Sequence, residues 1–340
     1  MKKKSSYNVA VVGAKGAVGS EMIKILEERK FPVADLRLFG SARSKGTSAR
    51  FQGRDVPVRE LKFEPDEFQG IDIVLSSPGA LVSTKFVPHA IKTGAVVIDN
   101  TSAFRMHPKV PLVIPEINPE DIKKHKGIIA NPNCSAIIML MAVAPLHRKN
   151  PIKRILCSTY QSASGAGAKA MRELETQTRD VLDGKPIKKE VFPHQIAFNL
   201  FSHNSTIEEN GYNEEELKMI QEAHKILHDD SIRIATTCVR VPVFRAHSEA
   251  IYIEFERKMP LEQAHNILSK APGIKLVDDQ KSNHFPMPIE ASGGNDVLVG
   301  RLRVDLSCKN GLVLFVSGDQ LRKGAALNAI QIAEKLIQKN

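Results

Sequence analysis

Residues 128–140 read IIANPNCSAIIML and place one cysteine between an Asn-Pro-Asn turn and a long apolar run. Pro132 cannot donate a ladder hydrogen bond and its asparagine neighbours favour turns, so a preceding strand should end there. The apolar residues 135–144 predict a buried helix that Pro145 interrupts or ends. Cys134 is then expected at a helix N-terminus, where free N–H groups and the helix dipole favour a nucleophilic thiolate. The alternative is a small buried thiol in a core helix.

A glycine-rich turn, GAKGAVG over residues 13–19, lies between a strand-like stretch and a helical pattern. Its GxxGxxG spacing differs from the commoner GxGxxG, but the physical requirements are shared. Both motifs need a tight turn, a backbone open to a pyrophosphate, and a helix N-terminus that faces the anion. A purely structural turn is the alternative. The position at the start of a strand–helix–strand pattern favours a dinucleotide site.

The end of the second predicted strand bears on which dinucleotide is bound. An NAD site usually has Asp or Glu there to hold the ribose 2′-hydroxyl. This sequence has Ser41, Ala42, Arg43 and Ser44 instead. Two hydroxyls and a guanidinium suit a 2′-phosphate, because arginine offers charge-assisted, forked donors. The sequence therefore predicts NADP.

Two basic side chains in the second half of the sequence are candidates for substrate binding and proton transfer. Arg240 lies inside the apolar run TTCVRVPVF, where a guanidinium needs a bound carboxylate or an internal acid. His247 follows seven residues later, and an imidazole of ordinary pKa can accept and return a proton near neutral pH. The alternative for His247, one of 11 histidines, is a structural role. Gln161 follows a predicted strand and has strand capping as its alternative.

Three further charged residues each have an ordinary explanation. Arg105 follows a strand end and turn, where a solvent-facing charge is common. Asn213 and Glu216 have the spacing of a capping box at the start of a helix. Glu215 and Lys218 form an ordinary i,i+3 surface pair on that helix.

The elements that must position these residues follow two patterns. Over the first 130 residues, short β-branched runs alternate with helical patterns, which predicts a parallel, doubly wound sheet. A mixed sheet with one solvated face is predicted from the runs at 154–161, 251–256, 297–306 and 311–319. Residues 321–338 predict a helix that returns to the first domain. The segment 185–210 has no assignment.

Composition restricts the partners of this 340-residue chain. Its net charge of +10 is scattered, and the sequence has neither zinc-finger spacing nor an RNA-binding signature, so nucleic acid is not predicted. The four cysteines lie far apart, which argues against a disulfide framework or a metal site and indicates a reducing compartment. We expect neither a signal peptide nor a membrane span, and predict a cytoplasmic protein.

Seven motifs together resemble the aspartate-semialdehyde dehydrogenase family, and the likeness runs from Val9 to the terminal helix. In order, they are VVGAKGAVG, SARS, DNTSAFR, NPNCS, STYQSASGAG, CVRVPVFRAHSE and DQLRKGAALN. The resemblance implies a Rossmann-like NADP-binding domain, 1–132 with the C-terminal helix 321–340, and a mixed-sheet α/β catalytic and dimerisation domain, 133–320.

The resemblance also implies roles for individual residues. Cys134 would be the nucleophile, His247 the acid/base, and Gln161 the residue that orients the substrate. Arg240 would bind the substrate carboxylate and Glu215 its amino group. The phosphate-binding residues would be Arg105 and Lys218. The cofactor-binding residues would be Gly13, Lys15, Gly16, Ala17, Val18, Ser41, Ala42, Arg43, Ser44, Ser164, Gly165 and Gln320, with no metal.

The activity implied is the reversible, NADP-dependent conversion of aspartate 4-semialdehyde and phosphate into 4-aspartyl phosphate through a cysteine thioester. In the reductive direction it would supply lysine/diaminopimelate, threonine, methionine and isoleucine synthesis. The protein would be a homodimer or a homotetramer. One alternative is N-acetyl-gamma-glutamyl-phosphate reductase, which must accept an acylated amine. Another is a non-catalytic binding relative, although such a protein would be expected to lose Cys134 or His247.

Overall fold

A computed structural model describes residues 4–338 of the chain, and contacts divide it into two compact units. The first unit ends at Asn133 and resumes at Ala325, and the second comprises Cys134–Gly324. Among residues 4–338, no helix is long and apolar enough to cross a membrane.

The strands are β1 (Tyr7–Val12), β2 (Val33–Gly40), β3 (Ser48–Phe51), β4 (Arg54–Glu60), β5 (Ile73–Ser76), β6 (Val96–Asp99), β7 (Ile128–Ala130), β8 (Ile152–Gln161), β9 (Phe201–Ser202), β10 (Arg233–Arg240), β11 (His247–Phe255), β12 (Ile274–Leu276), β13 (Val297–Val304) and β14 (Gly311–Gly318). The α-helices are α1 (Ala17–Glu28), α2 (Ala80–Lys92), α3 (Cys134–His147), α4 (Ala168–Leu182), α5 (Glu214–Leu227), α6 (Leu261–Ser269), α7 (Pro288–Ala291) and α8 (Leu327–Gln338).

The first unit is built on a seven-stranded sheet in the order β3-β4-β2-β1-β5-β6-β7. Every neighbouring pair is parallel except β3 with β4. Residues 9–12 of strand β1 are all apolar because both faces of the sheet are covered. Val9 and Val11 join a cluster with residues of α1 and α8, whereas Ala10 and Val12 join one that contains Phe86 of α2. The predicted doubly wound parallel sheet is confirmed.

The glycine turn before α1 brings the chain very close to itself. Gly13 has φ +84°, and a Cβ there would lie 2.7 Å from the carbonyl oxygen of Ser77. A Cβ on Gly19 would lie 2.2 Å from the carbonyl oxygen of Gly13. These contacts exclude any larger residue at either position and leave the turn packed tightly at the start of α1, as a dinucleotide-binding turn requires.

The second unit contains a mixed seven-stranded sheet in the order β12-β13-β14-β11-β8-β10-β9. Its β10–β8 and β12–β13 pairs are parallel and its other pairs antiparallel, so the predicted mixed sheet is confirmed. Helix α3 is apolar on all sides and almost wholly buried, because it packs on both the sheet and helices α5 and α6. Pro145 does not end this helix, which continues to His147.

Two predictions about helix boundaries meet different outcomes. The capping box at the start of α5 is confirmed, because the Asn213 side chain accepts from the Glu216 N–H and the Glu216 carboxylate accepts from the Asn213 N–H. The C-terminal α-helix predicted from residue 321 begins only at Leu327, after a π-helical turn over Arg322–Ala326.

Candidate active site

The register of three adjacent strands in the second unit brings three predicted site residues together. Parallel strands β8 and β10 both end at this point, where Gln161 is paired with Arg240. Strand β11 runs antiparallel to β8 and pairs Ser248 with Tyr160, so His247 begins its strand opposite Gln161. The side chains of His247, Gln161 and Arg240 therefore form one row, all buried. Because the sequence predicts catalytic and substrate-binding roles for them, we call these three residues the catalytic row.

Cys134 is the first residue of α3, as predicted, and its thiol is partly exposed. Gly324 faces it, because a Cβ on Gly324 would lie 3.0 Å from the Cys134 Cβ. Cys157 and Cys238 are buried, and burial is the main cause that raises the pKa of each thiol. Of these three thiols, only Cys134 combines solvent access with a helix N-terminus, the setting that favours a reactive thiolate.

Gln161 joins the residue next to the cysteine to helix α5. Its Nε2 donates to the Ser135 hydroxyl at 2.6 Å and to the Glu215 carboxylate at 3.0 Å. Its Oε1 is buried and has no hydrogen-bond partner within residues 4–338. A buried carbonyl oxygen without a partner is costly, so this atom is available to accept a hydrogen bond from a ligand.

His247 is buried, and its environment determines which nitrogen carries the proton. Nδ1 accepts from the Ser162 backbone N–H at 3.0 Å, so the neutral ring carries its proton on Nε2. Burial, followed by the charge of Arg240, lowers the pKa of His247 to about 3. The Ser162 hydroxyl also lies 3.0 Å from Nδ1 and can donate a second hydrogen bond to it. The ring is thus a neutral imidazole that can donate a hydrogen bond through its Nε2–H.

Arg240 is held by neutral groups. Its Nη1 donates to the Ser162 carbonyl at 2.8 Å, and its Nη2 lies 2.8 Å from Nε2 of His203. The guanidinium carbon lies 5.5 Å from the centre of the Phe192 ring. Burial lowers the pKa of Arg240, while the nearby Glu215 raises it. The internal acid expected from the sequence is therefore a neighbour rather than a direct partner, and the charge can attract a substrate carboxylate.

Glu215 and Lys218 lie in the first turns of α5 and differ in environment. Glu215 is buried and contacts the catalytic row through Gln161. The Lys218 ammonium lies 3.5 Å from the Glu214 carboxylate and 3.9 Å from that of Glu215. The i,i+3 pair considered from the sequence is present, but it is not simply a surface pair, because one partner is buried beside the row.

Three residues predicted to contact the cofactor also lie in the second unit. The Gln320 amide donates to the Ser164 hydroxyl, and its oxygen accepts from the Ala246 N–H at 2.9 Å. Gly165 is exposed, and because it has no side chain, the side chains of His247 and Arg240 can lie close to its backbone. A Cβ there would lie 3.0 Å from Cε1 and 3.1 Å from Nε2 of His247, and 3.1 Å from Nη1 of Arg240.

The first unit holds the remaining predicted cofactor residues. Gly16 immediately precedes helix α1, which begins with Ala17 and Val18. The Lys15 ammonium donates to the Ser48 carbonyl at 3.0 Å, so it is directed towards strand β3. At the end of β2, Ser41, Ala42 and Arg43 are exposed and Ser44 is half-buried.

Arg105, also in the first unit, is not the solvent-facing charge that its position in the sequence suggests. It is 9% exposed. Its Nε donates to the Asn131 carbonyl and its Nη2 to the Asn100 carbonyl, both at 2.9 Å. These bonds hold the guanidinium next to the turn that precedes α3.

The sequence interpretation missed four residues that contact the predicted site: Ser135, Ser162, Phe192 and His203. Ser135 follows the cysteine and Ser162 follows Gln161, so their positions in the NPNCS and STYQS motifs were an available signal. No comparable local signal marks the other two, which lie in the segment 185–210 without an assignment.

The chain is similar to known proteins over almost its whole length. The family model described as "Semialdehyde dehydrogenase, NAD binding domain" matches residues 8–125, and "Semialdehyde dehydrogenase, dimerisation domain" matches residues 143–323. The chain is 54% identical to an aspartate-semialdehyde dehydrogenase of Synechocystis sp., covering 98% of both chains. It is 53% identical to one of Prochlorococcus marinus, covering 98% of this chain and 96% of the relative. A solved structure of aspartate semialdehyde dehydrogenase II from Vibrio cholerae, complexed with ASA, has a TM-score of 0.95, 44% identity and 99% coverage of both chains.

Proposed function

This chain belongs to the aspartate-semialdehyde dehydrogenase family, and on that premise we propose that it forms its acyl intermediate on Cys134 and uses NADP. The reaction interconverts aspartate 4-semialdehyde, phosphate and NADP with 4-aspartyl phosphate and NADPH. It is an oxidoreductase reaction of amino-acid biosynthesis, and reduction of the acyl phosphate is the proposed direction in the cell.

The observation that carries the proposal is the catalytic row beside the start of α3. In the oxidative direction the Cys134 thiolate attacks the aldehyde carbon, which forms a C–S bond and leaves an oxyanion. The Nε2–H of His247 is suited to stabilise that oxyanion. A nicotinamide cofactor bound beside this site would accept the hydride from the tetrahedral carbon, which would then be oxidised to a thioester. Attack by phosphate then breaks the C–S bond and releases the acyl phosphate and the thiolate.

Arg240 and Glu215 are the proposed recognition groups for the α-carboxylate and the α-amino group of the substrate. A buried guanidinium with neutral partners suits the α-carboxylate. A buried carboxylate that contacts Gln161 suits a free ammonium group. An acylated amine would carry no charge for Glu215 to pair with, so this arrangement supports the semialdehyde over an N-acetylated substrate.

The cofactor and phosphate assignments are proposals for individual residues. The match to an NAD-binding domain supports a nicotinamide cofactor, and exposed Arg43 at the end of β2 supports NADP in particular. The turn from Gly13 to Val18, with Lys15, is proposed to hold the pyrophosphate. Ser164, Gly165 and Gln320 are further proposed cofactor contacts. Arg105 and Lys218 would bind the phosphate.

The larger organisation follows the same premise. We assign cofactor binding to residues 1–132 with the C-terminal segment 321–340, and catalysis and dimerisation to 133–320. A match to a dimerisation domain supports self-association, for which we propose a homodimer or homotetramer. Four free cysteines and a chemistry that requires a thiolate suit a reducing compartment, so we propose a cytoplasmic setting.

Mass spectrometry of the acyl-enzyme tests the central step. The enzyme is incubated with semialdehyde and NADP without phosphate, quenched in acid and digested. We expect an aspartyl adduct on Cys134 that disappears when phosphate is added before the quench. Cys134→Ser serves as the control and should carry no thioester. An adduct on Cys157, Cys238 or Cys308 would contradict the assignment.

A further inference from the structure

The segment between α4 and α5, unassigned from the sequence, is held by two side chains of α4. The Glu173 carboxylate accepts from the backbone N–H groups of Glu190 at 3.0 Å and Phe192 at 3.3 Å, and also from that of the residue between them. Gln177, one turn later, accepts from the Ile196 N–H at 2.9 Å and donates to the Lys188 carbonyl at 2.7 Å. Since Glu173 and Gln177 are themselves buried, the segment has a defined path.

The end of this segment contacts Arg240. The segment places the Phe192 ring next to the guanidinium and then forms β9, in which Phe201 pairs with Arg240 of β10. The His203 N–H donates to the Cys238 carbonyl at 2.8 Å and continues this pairing. His203 Nε2 is thereby brought to 2.8 Å from Arg240 Nη2.

The chemistry of this contact determines the state of His203. A guanidinium can only donate, so His203 Nε2 must accept and the ring must carry its proton on Nδ1. The Ser205 hydroxyl lies 3.1 Å from Nδ1 and can accept a hydrogen bond from it. The Ser205 backbone nitrogen also lies 3.3 Å from Nδ1, but its N–H cannot donate to that nitrogen in this tautomer. The same hydroxyl accepts from the backbone N–H of Glu215 at 3.2 Å. Burial is the main cause that lowers the pKa of His203 to about 4, with Arg240 and Lys218 contributing, so the ring stays neutral at physiological pH.

We propose that His203 is a positioning residue that orients Arg240 towards the substrate carboxylate. Through Ser205 it also ties Arg240 to the turn that carries Glu215, so the two recognition groups keep a constant separation. The inference rests on the proposed function, which gives Arg240 the carboxylate and Glu215 the amine. It concerns specificity for the substrate and assigns His203 no contact with the reacting atoms.

Kinetics with paired variants and paired substrates test this role. His203→Leu removes the acceptor, and His203→Gln restores one near the position of Nε2. His194→Leu is the matched control, because His194 lies in the same segment, is exposed, and contacts the Phe201 ring rather than Arg240. The substrates are aspartate 4-semialdehyde and 3-aminopropanal, which lacks the carboxylate.

We expect His203→Leu to lower kcat/KM for the semialdehyde about tenfold, mainly through KM, because Arg240 loses the acceptor that orients it. KM for phosphate and NADP should stay within about twofold, and kcat/KM for 3-aminopropanal should change as little. His203→Gln should recover most of the loss, and His194→Leu should match the wild type. Where 3-aminopropanal is turned over too slowly to follow, its inhibition constant against the semialdehyde serves the same comparison.

Other outcomes would overturn the inference. These are an unchanged His203→Leu enzyme, an equal loss with both substrates, or a His203→Gln enzyme no better than the leucine variant. If His203→Leu fails to fold, Ser205→Ala replaces it and should show a smaller loss of the same selectivity. Arg240→Leu, measured in parallel, distinguishes a failure of the proposed function from a failure of this inference. If Arg240→Leu loses activity equally with both substrates, the proposed role of Arg240 itself is contradicted. If Arg240→Leu loses activity only with the semialdehyde but His203→Leu shows no such selective loss, only the inference about His203 is contradicted.

Discussion

Gly165→Ala would place a methyl group against two residues of the catalytic row. The added Cβ would lie 3.0 Å from Cε1 and 3.1 Å from Nε2 of His247, and 3.1 Å from Nη1 of Arg240. The φ of Gly165 does not lie in the left-handed region, so alanine costs no backbone strain there. The effect should therefore be steric and confined to these side chains.

The size of the effect follows from those distances. Carbon atoms in comfortable contact lie about 3.5–4.0 Å apart, so His247 must retreat by roughly 0.5 Å. A misplacement of about 1 Å at a reacting group costs about a hundredfold in rate, so half of that should cost about tenfold, or about 1.4 kcal/mol in transition-state free energy. Arg240 can relieve part of the contact only by turning its guanidinium away from its present partners.

Initial rates of NADPH formation measure this loss. We expect kcat/KM for the semialdehyde to fall about tenfold, with contributions from both kcat and KM, and KM for NADP to change by a smaller factor. Ala166→Ser, which adds one heavy atom at the next, exposed residue, is the control and should behave as the wild type. A Gly165→Ala enzyme with an unchanged kcat/KM, or with a loss confined to KM for NADP, would refute the steric reasoning.

Three further predictions concern cofactor choice, substrate binding and acid stability. Arg43→Ala should weaken NADPH binding far more than NADH binding in fluorescence titrations, because its guanidinium suits the 2′-phosphate; equal losses would contradict that assignment. Arg105→Leu should raise KM for phosphate more than for semialdehyde, and Arg240→Leu the reverse; identical profiles in steady-state kinetics would remove both roles. Burial lowers the pKa of His247 in the folded protein to about 3, so its contribution to stability is complete above the ordinary pKa and declines as the pH falls below it. That loss in the free energy of unfolding should reach about 2 kcal/mol at pH 5. Urea unfolding at pH 7.5 and pH 5 should therefore show less acid destabilisation for His247→Asn than for the wild type. If both proteins lose the same free energy of unfolding between these pH values, a buried neutral imidazole is contradicted.

The sequence by itself determined the features that depend on neighbouring residues. Local backbone preferences and short-range hydrogen bonds account for three of these features. They are the strand, glycine turn and helix over residues 7–28, the helix start at Cys134, and the capping box at Asn213. The alternation of strands and helices was enough to predict one parallel and one mixed sheet, because it limits how the strands can be connected.

Only the tertiary structure decided how the site residues are held. Gln161 is far from Arg240 and His247 in the chain, and the three side chains meet only because the register of their three strands is fixed when the strands pair. Burial and the Ser162 N–H together determine the protonation of His247, which an isolated histidine cannot reveal. His203 reaches Arg240 because α4 holds the intervening segment and β10 pairs with the short strand β9. Such long-range contacts exist only after folding, so the sequence could name these groups but not their partners.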